Sequence, residues 1–275
     1  MEGVSTDELG HFLRSRRAQL VPDITRSRQR TRGLRREDVA ELAAMSPDYY
    51  RRLEQGRIGP PSAQILESLS RALQLTQDEQ DYLYRVADRA CVRRVQTEPA
   101  TEVAAPLRQL VESLGGTPAQ VMTTDGETLL QNPAAVALLG DHSGYTGDAR
   151  YSTYRWFTDP AGRWMHPPEE CEEEGRARVA DLRARSVETG SAVADRLIGL
   201  LRDRSPEFER MWREQKVALC RGGTKTLVNP RFGTAELQCQ ILRHEGAAQL
   251  LITYTAAVGS VAAGQLRQLT DPQWA

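Results

Sequence analysis

The apolar positions of the first ninety residues recur every three or four residues, the spacing of helices that bury one face. Five short helices are predicted on this pattern: over residues 7–20, over 36–44, from Pro47 to a stop at Gly56, from Pro60-Pro61-Ser62 onward, and from Thr76 onward. Ser46 is a good N-cap before a proline, and Thr76-Gln77-Asp78-Glu79 is a capping box. The pattern therefore predicts a small helical domain over residues 1–90.

The pattern changes to alternation in the second half of the chain. Residues 91–105 have no apolar period and are predicted to be a linker. Ala119–Thr123 alternates, Asp125-Gly126 is typical of a type I′ turn, and Thr128–Gln131 completes a predicted hairpin. Further helices are predicted after Asn132, near Pro168, over 191–202 and from Ser205-Pro206, and further strands over 224–229, around 236–241 and around 250–254. This order predicts an α+β domain over residues 106–260, with one antiparallel sheet and helices on one face, and a C-terminal tail over 261–275.

Charge is unevenly distributed along the 275 residues, which suffice for two domains. The whole chain has 36 basic and 37 acidic residues, but residues 11–57 hold twelve arginines against six acidic residues. Such a basic face steers a domain toward a phosphate backbone. The four cysteines are far apart without a CxxC pair, which favours free thiols and argues against a metal site. With no signal peptide and no apolar run of about 18 residues, the sequence predicts a cytoplasmic protein without cofactor or membrane partner.

The densest basic segment is an arginine arm that contains no acidic residue. Its arginines are Arg26, Arg28, Arg30, Arg32, Arg35 and Arg36. A guanidinium stays charged and its donors match phosphate oxygens, so the arm is interpreted as a segment that follows the DNA backbone or enters a minor groove. A solvated basic loop is the alternative when this segment is taken alone.

Two short helices joined by a tight turn at Ala44-Met45 have the spacing of a helix-turn-helix, whose second helix enters the major groove. The chain here resembles the phage-repressor-like (xenobiotic-response-element, XRE) helix-turn-helix family. The matching residues are Glu37-Asp38-Val39-Ala40-Glu41-Leu42-Ala43, Ser46, Tyr50, Leu53-Glu54-Gln55-Gly56, Pro61 and Ala72-Leu73. The family's usual turn glycine is Ala44 in this chain, which costs about 1 kcal/mol if the position needs a positive φ.

The resemblance implies a set of DNA contacts on the second helix and just before the first. The set comprises Pro47, Asp48 and Arg52 at base edges, Arg36 and Tyr49 at phosphates, and Arg51 beside them. Proline offers only an apolar contact, for example to a thymine methyl, whereas Arg52 is the candidate for a bidentate contact to guanine. A plain surface charge is the alternative interpretation of Arg52.

A narrower resemblance covers about residues 9–260. The chain is similar to actinobacterial-type regulators that join this helix-turn-helix to an MmyB-like ligand-binding domain. The segments that carry the resemblance are Gly33–Ala40, Asp48–Gly56, Asn132–Ala135, Leu138–Gly140, Phe157–Pro160, Arg204–Phe208 with Trp212, Asn229-Pro230 with Gly233, and Tyr254–Ala256 with Gly259-Ser260. It implies a PAS-like sensor domain with a pocket for fatty-acid-like molecules. Gln215 and Asn229 stand where the pattern commonly has histidine, so a different ligand stays open.

Six apolar side chains are expected to point into the layer between the sheet and the helices. They are Val121, Leu130, Phe157, Trp212, Leu237 and Ile252. A pocket lined by such side chains with a few polar anchors would bind a small, partly apolar molecule.

Catalysis has little support in the sequence. The four histidines are scattered, and no Ser or Cys lies in a recognisable nucleophile motif. The acidic run Glu169–Glu174 is interpreted as a solvated helix start. The sequence therefore predicts a transcription regulator and no enzyme: a homodimer that binds a palindromic operator in double-stranded DNA and senses a small lipophilic ligand. The alternative is a DNA-bound scaffold whose second domain docks a protein partner without any small ligand.

Overall fold

Five helices form the first unit of the protein, in agreement with the sequence prediction. The structure, a computed structural model, describes residues 4–20, 33–88, 102–189, 191–244 and 248–269. The helices are α1 Val4–Gln19, α2 Arg36–Leu42, α3 Pro47–Glu54, α4 Ala63–Ala72 and α5 Gln77–Asp88. Four arginines of the predicted arm, Arg26, Arg28, Arg30 and Arg32, lie outside the described residues.

The caps read from the sequence stand at the starts of α3 and α5. Ser46 Oγ accepts a hydrogen bond from the Tyr49 N–H at 3.1 Å. The Glu79 carboxylate accepts from the Thr76 N–H at 2.9 Å, and the Thr76 hydroxyl accepts from the Glu79 N–H at 3.4 Å. These contacts satisfy N–H groups that have no partner inside their helix, which is why local sequence located both boundaries.

The core of the first unit continues into the second half of the chain. Phe12 and Tyr50 are completely buried, and the ring of Phe12 lies 5.0 Å from that of Tyr82. Three residues from the second half belong to the same buried cluster: Ala184, Val187 and Val217. The two units therefore share one apolar interface.

The second unit is a five-stranded antiparallel sheet with helices, which confirms the predicted α+β class. Its elements are α6 Ala105–Ser113, β1 Ala119–Thr123, β2 Thr128–Gln131, α7 Pro133–Leu139, α8 Ser152–Thr158, α9 Cys171–Thr189, α10 Ala192–Arg204, α11 Pro206–Arg213, β3 Gly222–Asn229, β4 Gly233–His244, β5 Gln249–Thr255 and α12 Val261–Leu269. The strand order is β2-β1-β5-β4-β3, so the hairpin pairs with the last strand of the meander.

The strand register divides the side chains between two faces of the sheet. Gln120 of β1 lies opposite Ile252 of β5, and Ile252 lies opposite Ile241 of β4. Because successive side chains point to opposite faces, these three share one face, called the inner face here. Val121 and Leu251 are on the other, outer face.

Helices cover both faces of this sheet, whereas the sequence predicted helices on one face only. The difference is α6, which the sequence analysis did not identify. Its Leu107 and Val111 pack against Val121 and Leu251 on the outer face. Residues 91–105 were predicted to be a linker, but their last residues join the sheet domain, because the Gln249 side chain donates to Glu102 O at 2.6 Å and accepts from the Ala104 N–H at 3.0 Å.

Residues 261–269 form α12 and not the predicted tail. Leu266 and Leu269 of this helix are buried in a cluster with Leu138 and Leu237. The Gln265 side chain also donates to the carbonyl of Phe232 at 3.1 Å. The packing of α12 on the sheet could not be predicted from the sequence, because the apolar surface that α12 covers exists only after the sheet has formed.

The β1–β2 turn differs from the predicted type I′. The Gly126 N–H donates to Thr123 O at 3.0 Å, and the Thr123 N–H donates to Glu127 O at 2.8 Å. Gly126 has φ +92°, while Asp125 has no positive φ. This is a three-residue hairpin loop, a tight turn that ends in a left-handed glycine. Asp125 thereby keeps a conformation that directs its carboxylate to Ser191 Oγ, 2.8 Å away.

The turn of the helix-turn-helix yields a stability prediction. Ala44 has φ +53°, the left-handed region that disfavours a residue with a Cβ. We expect Ala44→Gly to raise the free energy of unfolding by about 0.5–1 kcal/mol. The same change at Ala18, in the last turn of α1, should lower it by a similar amount. Urea denaturation of both variants checks the signs, and a loss of stability in Ala44→Gly would contradict the strain argument.

Candidate DNA-binding face and ligand cavity

The exposed positions of α3 form the candidate DNA-binding face. Pro47, Asp48, Arg51 and Arg52 are exposed, and Tyr49 is half-buried. Asp48 and Arg51 form an ion pair one turn apart. Within the described residues, the Arg52 side chain makes no hydrogen bond or ion pair. The structure therefore places these five predicted positions on one short helix, with Arg52 as the guanidinium that is available there.

Arg36, predicted to contact phosphate, takes part in a buried ion-pair network inside the protein. Its Nε lies 2.7 Å from Glu54 Oε2, and Arg17 Nε lies 2.7 Å from Glu54 Oε1. The Glu54 side chain is fully buried. Burial disfavours the charged carboxylate, but hydrogen bonds and charges from the two arginines outweigh it and hold the pKa of Glu54 below its usual value. Arg36 thus ties the start of α2 to the end of α3, and its side chain keeps 40% exposure toward solvent.

Arg35 stands at the exposed N-cap of α2. The Asp38 carboxylate accepts from the Arg35 N–H at 2.7 Å, so the backbone there is fixed while the guanidinium faces solvent. Gly10 of α1 explains how closely α1 approaches the end of α3: a Cβ at Gly10 would lie 2.3 Å from Glu54 O. Glu54 belongs to the helix-turn-helix motif of the sequence, but the motif does not indicate that its carboxylate is the buried anchor of this domain.

A cavity of about 240 Å³ lies between the inner face of the sheet and the helices α8 and α9. Its apolar lining comes from both sides and includes Met122, Leu139, Leu182, Leu227, Ile241, Leu250 and Ile252. Eight charged residues also line it: Asp125, Asp141, Arg155, Glu174, Arg178, Asp181, Arg185 and Lys225. A site with so many charges is built for polar recognition as well as for apolar contact.

The six side chains predicted to line a pocket are not brought together. Ile252 lines the cavity. Val121 and Leu130 pack with α6 on the outer face, and Phe157 and Trp212 pack around Phe208. Leu237 lies in the cluster beneath α7 and α12. The other five predicted side chains therefore pack in the cores around the cavity, whereas many residues of the cavity wall are charged.

Helix α9 supplies the charged wall with one of its faces. Glu174, Arg178, Asp181 and Arg185 recur at intervals of three and four residues, and all four line the cavity. On sequence alone such a row is typical of a solvated helix face, which is how the start of this helix was interpreted. One signal in the sequence indicates that the row is not solvated. Lys225, one of only two lysines in the chain, stands at an alternating position of a predicted strand and could therefore face an acidic partner across the interior.

Glu174 is the anionic centre of one end of the cavity. It lies 3.0 Å from Arg178 Nη2 and 2.5 Å from Lys225 Nζ. Burial raises the pKa of a carboxyl group, but the charges of Arg178 and Lys225 outweigh it and lower the pKa of Glu174 to about 2. At neutral pH this end therefore carries one negative and two positive charges.

Two histidines beside the arginines are held neutral. Burial, followed by the charge of Arg155, lowers the pKa of His142 to about 4. Burial, followed by the charge of Arg178, lowers the pKa of His166 to about 4. The Arg178 guanidinium lies 4.5 Å from the centre of the Trp156 ring. At neutral pH neither imidazole adds a charge to the cavity wall.

Four buried polar atoms of cavity-lining residues have no hydrogen-bond partner among the described residues. They are Gln120 Oε1, Asp125 Oδ1, Trp156 Nε1 and Arg178 Nε. Buried polar atoms are almost always paired, and each one that is not needs an explanation. A ligand that supplies the missing partners explains why several occur around one cavity.

Other kinds of site find no support in the described part of the chain. No cluster of three His, Cys, Asp or Glu side chains suited to a metal ion occurs there. Cys171, Cys220 and Cys239 are free thiols. No helix within the described ranges is long and apolar enough to cross a membrane.

Two family models match the chain, one over each of the units described above. A model of a helix-turn-helix domain matches residues 8–83. A model described as the MmyB-like transcription regulator ligand binding domain matches residues 103–269, more than half of the chain. No curated protein matched the sequence. The second match begins at the residues that tie α6 to the sheet and ends with α12.

Proposed function

Because this chain belongs to the family with an MmyB-like transcription regulator ligand binding domain and also carries a helix-turn-helix, we propose that occupancy of its cavity adjusts how α3 binds a specific DNA sequence. The coarse function, a DNA-binding transcription regulator with a ligand-binding domain, follows from the family. The specific DNA contacts, the coupling between the units, the ligand and the dimer are the parts proposed here.

The observation that carries the proposal is that α9 belongs to both units. One face of α9 lines the cavity through Arg178 and Asp181. Another face buries Ala184 and Val187 in the core of the helix-turn-helix unit. A rigid helix that touches both a ligand and a DNA-binding domain is a direct physical connection between them.

A second connection runs through three consecutive residues after α11. The Asp181 carboxylate, in the cavity wall, accepts from the Cys220 N–H at 2.8 Å. The next contact leads away from the cavity: Asp78 of α5 accepts from the Leu219 N–H at 3.1 Å and from Arg221 Nη1 at 2.7 Å. The hydrogen bond from Arg221 is the main reason that the pKa of Asp78 lies below its usual value. If Asp181 moves when the ligand binds, Cys220 moves with it. Its neighbours Leu219 and Arg221 hold Asp78 of α5, so the movement reaches α5 directly.

Ligand control requires that the ligand favour one arrangement of these contacts over another. The pair of Asp181 with Arg185, at 2.7 Å, stands directly in the cavity wall. A ligand that competes for either side chain changes the same carboxylate that holds Cys220. The differential contact that any allosteric switch needs is therefore available at Asp181.

On the DNA side, Arg52 is proposed to read a guanine, and Pro47 to touch a thymine methyl. Asp48 and Tyr49 would complete the base and phosphate contacts, with Arg51 held in place by Asp48. Support comes from their common exposure on α3, the helix that a helix-turn-helix inserts into the major groove. Arg35 and Arg36, together with the arm Arg26–Arg32, would neutralise phosphates around that groove.

For the ligand, a concave cavity of about 240 Å³ between sheet and helices favours a small molecule over a docked protein. Apolar residues such as Leu182, Ile241 and Leu250 line part of it, which supports the partly apolar ligand expected from the sequence. Arg155 opposes a purely hydrocarbon ligand, because this buried guanidinium has no ion pair within the described residues and hydrocarbon would not supply one. In the alternative, a scaffold that docks a protein partner, the partner would bind an exposed surface and leave the cavity unaffected. Binding in the cavity therefore distinguishes the two functions.

The base-reading role of Arg52 is testable by substitution. Arg52→Ala should weaken binding to the preferred site by about 1–3 kcal/mol and relax selectivity at one base pair. Arg28→Ala with Arg30→Ala should weaken preferred and random DNA alike and reduce the salt dependence. Arg71→Ala, an exposed arginine on α4, is the matched control and should change neither. Fluorescence anisotropy on a site selected from random DNA measures all three, and selectivity lost in the arm variant but kept in Arg52→Ala would reverse the assignment.

The connection through Asp78 is testable from the DNA side, because coupling between two sites is reciprocal. Binding of the selected DNA should slow amide hydrogen exchange in α9 and residues 219–221. Asp78→Asn should reduce this protection while the DNA affinity changes by less than about twofold, and stability should fall by less than about 1 kcal/mol since Arg221 is exposed. Asp81→Asn, one turn after Asp78 on α5, is the control. Equal protection in Asp78→Asn and in the unmodified protein would rule out this route.

The protein is further proposed to act as a homodimer on a palindromic operator, because one helix-turn-helix contacts only a half-site. Half-sites should lie about 34–36 Å apart, one turn of the double helix. Analytical ultracentrifugation of the full chain should give two copies per palindrome and one copy per isolated half-site. A full-length protein that stays monomeric on the palindrome at micromolar concentration would contradict the dimer.

A further inference from the structure

Arg155 is a buried cation in the cavity wall without an acidic partner. The residue is 6% exposed. Its Nη1 donates to the carbonyls of Ala149 at 2.7 Å and Arg150 at 3.0 Å, and its guanidinium lies 4.3 Å from the centre of the Tyr145 ring. Within the described residues it forms no ion pair. Burying a charge is costly unless an opposite charge accompanies it, so this position is set up for an anion.

The balance of charges around the cavity also favours an anionic ligand. Asp141 is exposed and in contact with water, which leaves three acidic residues in the wall, Asp125, Glu174 and Asp181. The basic residues of the wall are four: Arg155, Arg178, Arg185 and Lys225. With both histidines neutral, the wall residues that are not exposed carry an excess of one positive charge. One negative charge on the ligand balances it.

The opposite requirement holds at the β1 end of the cavity. Gln120 is 4% exposed, its side chain makes no hydrogen bond to any described residue, and Oε1 is buried. Asp125 accepts from Ser191 Oγ through Oδ2, while its buried Oδ1 has no partner within the described chain. Both unpartnered atoms are acceptors. A ligand must present a hydrogen-bond donor to satisfy either of them, and one hydroxyl hydrogen satisfies one.

The size of the cavity limits the length of the ligand. Arg178 and Arg185 both line it, and the seven positions from one to the other correspond to about 10 Å of helix. A cavity of about 240 Å³ is also smaller than the roughly 300–1,000 Å³ typical of drug-sized sites.

We propose that the cavity binds a small carboxylate monoanion that carries a hydroxyl group at its far end. The carboxylate lies between Arg155 and Arg178, and the hydroxyl donates its one hydrogen to Gln120 Oε1, with an apolar chain against Ile252 and Leu182 in between. This inference rests on the proposed function, since it takes the cavity to be the sensing site. A phosphate, with about −1.5 to −2 charges at neutral pH, would exceed the excess of one. A plain fatty acid would leave Gln120 Oε1 without a donor.

Calorimetric titration of the full-length protein with ω-hydroxy acids of four to eight carbons tests the proposal. One member, 6-hydroxyhexanoate, has three matched comparison probes: hexanoate lacks the hydroxyl, 1,6-hexanediol lacks the carboxylate, and 6-aminohexanoate replaces the hydroxyl with an ammonium group. Myristate represents a long acyl chain. The best ω-hydroxy acid should bind at least about tenfold tighter than its matched plain acid and diol, the factor expected for about 1.4 kcal/mol from one satisfied buried group.

Gln120→Leu provides a variant that keeps the fold. Because it removes a buried amide without partners, its melting temperature should equal or exceed that of the unmodified protein, and its preference for the hydroxy acid over the plain acid should disappear. Arg155→Met should instead weaken all carboxylates and leave the diol unchanged. Gln109→Leu, on the exposed side of α6, is the control and should alter neither preference.

The outcomes separate this inference from the proposed function. Tighter binding of myristate, of hexanoate or of 6-aminohexanoate than of any hydroxy acid overturns the ligand class, and a change in DNA affinity with that probe would keep the sensing function. Binding of a hydroxy acid without any change in DNA affinity supports the ligand class and contradicts sensing. Absence of binding by every probe at millimolar concentration overturns the inference.

Discussion

Helix α9 packs against the cavity on one face and against the helix-turn-helix unit on another, and the rest of the structure depends on this constraint. Arg183, in the middle of the helix, is 1% exposed, stacks 3.6 Å from the centre of the Trp212 ring and donates to the carbonyls of Trp212 and Lys216. Burial lowers the pKa of Arg183 to about 10, which still leaves it charged at neutral pH. These bonds fix α9 against the end of α11. They hold one face of the helix toward the cavity and another toward the DNA-binding unit.

Local chemistry made the first unit predictable from its sequence. Ser46 and the Thr76–Glu79 box act within one helical turn of the residues they cap, so no knowledge of the fold was needed to find them. Even the unusual Ala44 was recognised as a position where a positive φ would matter. What the sequence did not reveal is that this unit completes its core with Ala184, Val187 and Val217, which come from far along the chain.

The cavity was hard to predict because its wall depends on long-range packing. Apolar residues such as Val121 and Leu237 do point into the interior, but α6 and α12 cover them, and neither helix was identified from the sequence. The charged residues of α9 look solvated until the sheet brings Lys225 within 2.5 Å of Glu174. A pattern of hydrophobic positions finds cores, whereas a polar binding site is formed by residues that the same pattern assigns to the surface.

Two faces on one helix have an evolutionary consequence. Each residue of an α-helix advances the direction of its side chain by about 100°. Inserting or deleting a single residue before Arg183 would rotate the remainder of α9 by that angle and turn Arg185 away from the cavity, and Ala184 and Val187 away from the other core. Relatives of this protein can therefore acquire new ligands by point substitution at cavity positions, but the length of α9 is tightly constrained. Alignments of such proteins should show gaps at the ends of this helix and none within it.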